Sequence, residues 1–178
     1  MDGGRRDSKP RVGISACLLG ERVRYDGGHR RADDLLAVLE EQVVFVSVCP
    51  EVEVGMGVPR PPIRIETRQG AERLILPATG EDWTERMDAL ARRRAEELDA
   101  AGLDGFILKE RSPSCGLGST PLVGEEGPVG VLTSGRFADV LRRMLPDLPM
   151  EEAEALRDEE VFDRFLGKVR ERFRARRG

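Results

Sequence analysis

Histidine occurs once in this chain, cysteine three times, and aromatic residues make up only 4%, with one Trp and one Tyr. With so few aromatics, a core has to be built from Val, Leu, Ile and Ala. No apolar run is long enough to span a membrane. The first ten residues hold no apolar signal region, so residues 1–10 read as a loose polar leader and the protein as cytoplasmic. The formal net charge of −4 argues against a generally basic nucleic-acid binder but leaves local patches open. No internal repeat or low-complexity stretch is present. The cysteines, at 17, 49 and 115, form no local Cys-x-x-Cys pair, so only folding can bring them together. An odd thiol count in a reducing compartment favours metal binding or catalysis over disulfides.

Apolar residues make up 39% of the 178 positions and charged ones 35%, which suits a globular chain of one domain over residues 11–178. Strands are predicted over 11–16, 43–48 and 104–109. The strand at 43–48 is apolar throughout, as expected when a parallel strand is covered on both faces. A hairpin is predicted over 63–68 and 72–76 across Gln69-Gly70. A shorter hairpin has room in 119–132, and 148–153 reads as a last short strand. Helices are predicted over 31–42, 82–101, 135–145 and 159–175, with Asp158 as N-cap of the last. The segment 49–62 is rich in Pro and Gly and reads as a stiff loop without regular structure. Alternating strands and helices imply an α/β, Rossmann-like, three-layer fold: a mostly parallel sheet with helices on both faces. In such sheets ligands bind beyond the carboxyl ends of the strands.

Each cysteine sits at or just past such a strand end. They are read in three ways: as small buried hydrophobes, as ligands of one zinc with His29 or a carboxylate as the fourth, or as the mount of an iron–sulfur cluster. In the last case three thiolates would leave one iron without a protein ligand, a Lewis acid open to a soft sulfur or an oxygen.

Three blocks carry a resemblance. They are Ile-Ser-Ala-Cys-Leu-Leu-Gly (14–20) with Val-Arg-Tyr-Asp-Gly-Gly (23–28), Val-Cys-Pro-Glu-Val (48–52) with Gly-Met-Gly-Val-Pro-Arg-Pro (55–61), and Gly-Phe-Ile-Leu-Lys (105–109) with Ser-Pro-Ser-Cys-Gly (112–116). Together they resemble the thiouracil desulfurase family, closest to the form often fused to a second C-terminal domain; that fused form resembles a tRNA 4-thiouridine desulfidase. The resemblance implies a [4Fe-4S] cluster on Cys17, Cys49 and Cys115, with one open iron that binds the sulfur of a thiolated pyrimidine. Water then replaces the sulfur, releasing sulfide and uracil or uridine without net redox change.

Glu51, two residues after Cys49, is the expected base for that water, and Ser112 the expected hydroxyl relay; the resemblance places functional residues at both positions. Lys109, Ser114, Tyr25 and Asp26 are candidates for contacts to the substrate or cluster. His29 reads as a loop residue. The same chemistry on 4-thiouridine in tRNA, and a non-catalytic cluster or zinc sensor or carrier, are the alternatives. The charge is uneven near the C-terminus: 147–163 holds eight acids and one Arg, and 168–178 six bases and one acid. The basic end reads as a solvated helix face, with RNA phosphate as the other option.

Overall fold

The computed structural model describes residues 8–178. In chain order the first half runs β1 (Arg11–Ser15), a 3-10 turn (Ala16–Leu19), α1 (Asp33–Leu39), β2 (Val44–Val48), α2 (Pro50–Glu53), β3 (Arg64–Arg68) and β4 (Ala71–Leu76). The second half runs β5 (Glu81–Asp82), α3 (Thr84–Ala100), β6 (Leu103–Leu108), β7 (Thr120–Gly124), β8 (Gly127–Thr133), α4 (Arg136–Met144), β9 (Met150–Glu152) and α5 (Glu159–Ala175). The expected leader falls mainly on residues 1–7, which lie outside the described residues. Pro10 already belongs to the ordered sheet: it is buried, and its carbonyl accepts the Val44 N–H at 2.8 Å.

The central sheet is parallel, in the order β2-β1-β6-β9. β6 is buried along its whole length, because it lies inside the sheet and is covered on both faces. Its side chains alternate as a strand requires. Phe106 and Leu108 join Met87, Leu90 and Leu98 of α3 and Phe137 and Leu141 of α4. Ile107 joins Val12 and Ile14 of β1, the leucines of α1, and Phe165, Leu166 and Val169 of α5. The fold is therefore the expected three-layer, Rossmann-like α/β arrangement. Gly13 lies in register with Phe106, and a Cβ there would stand 2.5 Å from the Phe106 ring, so the close approach of the ring needs glycine.

Several elements differ from expectation for physical reasons. β2 is an edge strand, so Val44 stays 39% exposed despite the all-apolar run. α1 is shorter than the predicted 31–42 at both ends; before it, the N–H groups of Arg30 and Ala32 are donated to the Cys17 and Leu18 carbonyls at 2.9 and 3.0 Å, which holds that segment to the turn after β1. The loop after Cys49 opens with one helical turn, α2. Pro50 at its first position is already fixed in helical φ and has no N–H to lose. The two predicted hairpins join into a second sheet, β5-β4-β3-β7-β8. They meet through parallel pairing of Ile65 with Leu122. The β3–β4 turn has positive φ at both Gln69 and Gly70, as a tight hairpin of matching twist needs. Asp158 caps α5 as expected, accepting the N–H groups of Glu160 and Val161 at 3.0 and 3.1 Å. Among the described residues no helix is long and apolar enough to cross a membrane.

Candidate active site and metal centre

Three strand ends of the parallel sheet, those of β1, β2 and β6, lead into one cavity of about 290 Å³, and each carries a cysteine to it. Cys17 lies in the 3-10 turn after β1, where its carbonyl accepts the Arg30 N–H at 2.9 Å. Cys49 is the N-cap residue of α2, and its N–H is donated to Glu53. Cys115 follows β6 in a turn held by Ser112, whose Oγ accepts the Cys115 N–H at 3.0 Å and the Ser114 N–H at 3.2 Å. Ser15, at the end of β1, accepts the Lys109 N–H on its Oγ at 3.0 Å and so ties the end of β1 to the end of β6.

The Cys115 turn is also clamped from behind. The N–H groups of Gly135, Arg136 and Ala138, at the start of α4, are donated to the carbonyls of Gly116, Pro113 and Ser114 at 2.7, 2.9 and 3.0 Å. These are the N–H groups that a helix start leaves without helical partners.

All three cysteines are free thiols. Burial pushes Cys17 up to about 11, against the pull of Lys109 and Arg24 and with a further push from Cys49 and Glu51. Burial likewise raises Cys49 and, most strongly, Cys115, which also feels the charges of Cys17, Glu51 and Cys49. Three thiolates would persist there only against positive charge. Five cationic side chains and two carboxylates line the cavity, an excess of three positive charges that matches the three thiolates.

Among the described residues no three His, Cys, Asp or Glu side chains converge on a single metal ion. Three thiols at one cavity with no fourth protein ligand beside them are a donor set that would suit an iron–sulfur cluster with one open iron. His29 is exposed, and its Nδ1 accepts the Arg31 N–H at 3.2 Å.

Glu51, on α2, is held from two sides. Arg60 Nε and Nη2 both donate to Oε2, at 2.8 and 2.6 Å, and the buried Ser114 hydroxyl donates to Oε1 at 2.9 Å. A carboxylate offers about four acceptor positions. Two on Oε2 and one on Oε1 are taken, so the open position is on Oε1.

A family model described as 2-thiouracil desulfurase matches residues 12–153, which span all three cysteines, Glu51 and Ser112. The chain belongs to the 2-thiouracil desulfurase family. YbbK of Bacillus subtilis (strain 168), itself uncharacterized, is 37% identical over 113 residues, which are 59% of this chain and 72% of that protein. A solved structure described as the [4Fe-4S]-dependent thiouracil desulfidase TudS superposes with a TM-score of 0.61 at 33% identity, over 83% of this chain and 93% of that one.

In this desulfurase-family chain the expected site residues separate. Cys17, Cys49, Cys115, Glu51, Ser112, Lys109 and Tyr25 all line the cavity. Ser114 sits behind it, fully buried against Glu51. Asp26 turns outward, and its Oδ1 accepts the Gly28 N–H at 2.9 Å. That bond is the main cause of its lowered pKa; desolvation works against it, and Arg24 adds to the lowering. Lys109 is bonded to the Glu110 side chain and carbonyl. Desolvation pushes Glu110 up, but this lysine bond and backbone donors outweigh it and leave its carboxyl below the usual range.

Sequence reasoning gave no role to Arg60, Arg24 or Ser15. Arg60 lies in the Gly-Met-Gly-Val-Pro-Arg-Pro run, yet nothing in the order of residues says that its guanidinium turns back nine positions to Glu51. Three of the six bases in 168–178 bond within the fold. Arg172 and Arg176 donate to the Leu103 carbonyl at 3.1 and 2.7 Å, and Arg170 donates to Gln42.

Proposed function

We propose that this chain is an iron–sulfur-dependent desulfidase of thiolated uracils, with a [4Fe-4S] cluster mounted on Cys17, Cys49 and Cys115. The observation that carries this reading is the convergence of three free thiols and a doubly anchored carboxylate on one cavity in a chain of this family. When bound, the cluster supplies an iron without a protein ligand, a Lewis acid to which a thiocarbonyl sulfur can bind.

The protein's own groups supply the rest. Oε1 of Glu51 takes a proton from water as the water oxygen bonds to the ring carbon. Ser112 Oγ already accepts two N–H bonds, so what it has left to give is its own hydrogen, donated to the ring or to the leaving sulfur. Lys109 and Arg24, the two cations that pull on Cys17, hold the site's negative charge. The carbon–sulfur bond breaks as the carbon–oxygen bond is completed. Thiouracil and water become uracil and hydrogen sulfide, with no electron gained or lost.

Anaerobic reconstitution is expected to give a brown protein with about four irons and four sulfides per chain. Each Cys→Ser variant is expected to lose that content. Sulfide release from 2-thiouracil or 4-thiouridine is expected to fall by about 10²–10⁴-fold in Glu51→Gln, to a residual but measurable rate, while the cluster stays. A colourless protein with one tight zinc overturns the cluster, and full turnover in Glu51→Gln overturns the base.

A further inference from the structure

Arg60 is the most heavily bonded side chain at the cavity, and the desulfidation scheme above leaves it unused. Its side chain is only 5% exposed, although it lies in an irregular loop. Besides its two bonds to Glu51 Oε2, Nη2 donates to the Val23 carbonyl at 2.9 Å and Nη1 to the Gly57 carbonyl at 2.7 Å. Its backbone N–H adds a bond to the Tyr25 carbonyl at 2.9 Å. One planar guanidinium thus joins the loop after β1, the loop after α2 and the carboxylate on α2. The Val23 carbonyl that it grips is also the one 4.0 Å from Cys49 Sγ.

The pairing geometry matters for chemistry. An arginine that meets a carboxylate side-on commonly occupies both oxygens. Here both donors converge on Oε2. Oε1 is left to the Ser114 hydroxyl and one further partner. A lysine has no planar fork and cannot serve Glu51, Val23 and Gly57 from one rigid group.

From this geometry we infer that Arg60 is a positioning residue: it locks Glu51 so that Oε1 alone faces the reacting water, and it ties that orientation to the loop carrying Val23 and Tyr25. The inference rests on Glu51 being the base. Arg60 acts through Glu51, so its loss changes turnover and leaves substrate affinity in place.

The test is a double-mutant cycle on the reconstituted enzyme, with Arg60→Ala, Glu51→Gln and the pair. Iron and sulfide content is measured in each. Arg60→Ala is expected to keep its cluster and KM while kcat falls about 10–100-fold, the usual cost of losing an outer-shell partner. Added methylguanidinium, which fits the space vacated beside the cavity, is expected to restore kcat in Arg60→Ala and to do nothing in the pair. Arg60→Lys, which keeps the charge, is expected to hold iron and lose about 10-fold in kcat.

Wild-type kcat in Arg60→Ala or Arg60→Lys overturns the inference. So does a loss confined to KM, or an equal fold-loss from Arg60→Ala in the Glu51→Gln background. If Glu51→Gln turns over at full rate, the base assignment falls and takes the inference with it. If Glu51→Gln is slow and Arg60→Ala is normal, only the inference falls.

Discussion

Replacing Gly135 by alanine sets two effects of opposite sign against each other. Gly135 has φ −62° and ψ 148°, a conformation any residue adopts without strain. Through the unfolded chain alone, alanine there would stabilise by about 0.4–1 kcal/mol. The new methyl, however, would lie 2.5 Å from the Ser114 carbonyl carbon, 2.7 Å from the Cys115 nitrogen and 2.7 Å from the Ser112 oxygen.

All three neighbours are backbone, so no rotamer change relieves the collision. The Cys115 turn and the start of α4 must move apart. That strains the three bonds from Gly135, Arg136 and Ala138. At about 1 kcal/mol each they contribute roughly 3 kcal/mol. Overpacking adds about 1–3 kcal/mol. The net cost is then about 3–5 kcal/mol, and for a chain of this size Tm falls by roughly 6–20 °C. Thermal unfolding of the metal-free, reduced protein reads the first effect. Iron per chain after reconstitution reads the second, since the displaced turn carries Cys115. A Gly135→Ala protein that melts with the wild type and binds its full iron would refute the reasoning.

The thiols also make the metal-free protein sensitive to alkali. Cys17 titrates near 9 when unfolded and is pushed up to about 11 in the fold, so between these values the unfolded chain sheds a proton that the folded one keeps. Stability is intact below pH 9 and is lost as pH rises toward 11, by about 2–3 kcal/mol for this thiol. Urea melts under anaerobic conditions read the slope, and Cys17→Ala is expected to lessen it by this thiol's share, the rest remaining with Cys49 and Cys115; identical slopes would count against the burial argument. At the other end of the chain, Asp158→Ala removes the acceptor of two helix-start N–H groups. It is expected to cost about 1 kcal/mol, a Tm drop of roughly 2–4 °C, with turnover unchanged.

Much of the sheet and most of the cavity were legible in the sequence because they rest on local patterns. The run Leu103–Leu108 is apolar enough to name an inner strand, and the Cys-bearing turns follow directly from strand ends. The bounds of α5 follow from Asp158 and from a phenylalanine stripe at helical spacing. What stayed hidden depends on long-range approach. Nothing in residues 63–76 says that Ile65 will pair with Leu122 and fuse two hairpins into one sheet. Val44–Val48 has the composition of a buried strand, and only the strand order makes it an edge. Ser114 looked like a cavity residue from its place beside Cys115, but the turn directs its hydroxyl to Glu51 instead. Arg60 is the same kind of case: an ion pair between a loop arginine and a glutamate on a single helical turn has no periodicity to betray it.

The placement of one cysteine on each of three strand ends has a consequence for how the protein is made. Contiguous cysteine motifs can grip metal on a chain that is still being synthesised. Here the third thiol follows the second by a whole β-hairpin and a 17-residue helix. Until β6 has paired with β1, Cys115 has no fixed relation to Cys17. A metal group held by all three thiols would therefore be coupled to the closing of the sheet: each would stabilise the other. Loading would then report on sheet register, since parallel strands slipped by one residue would turn a thiol to the wrong face.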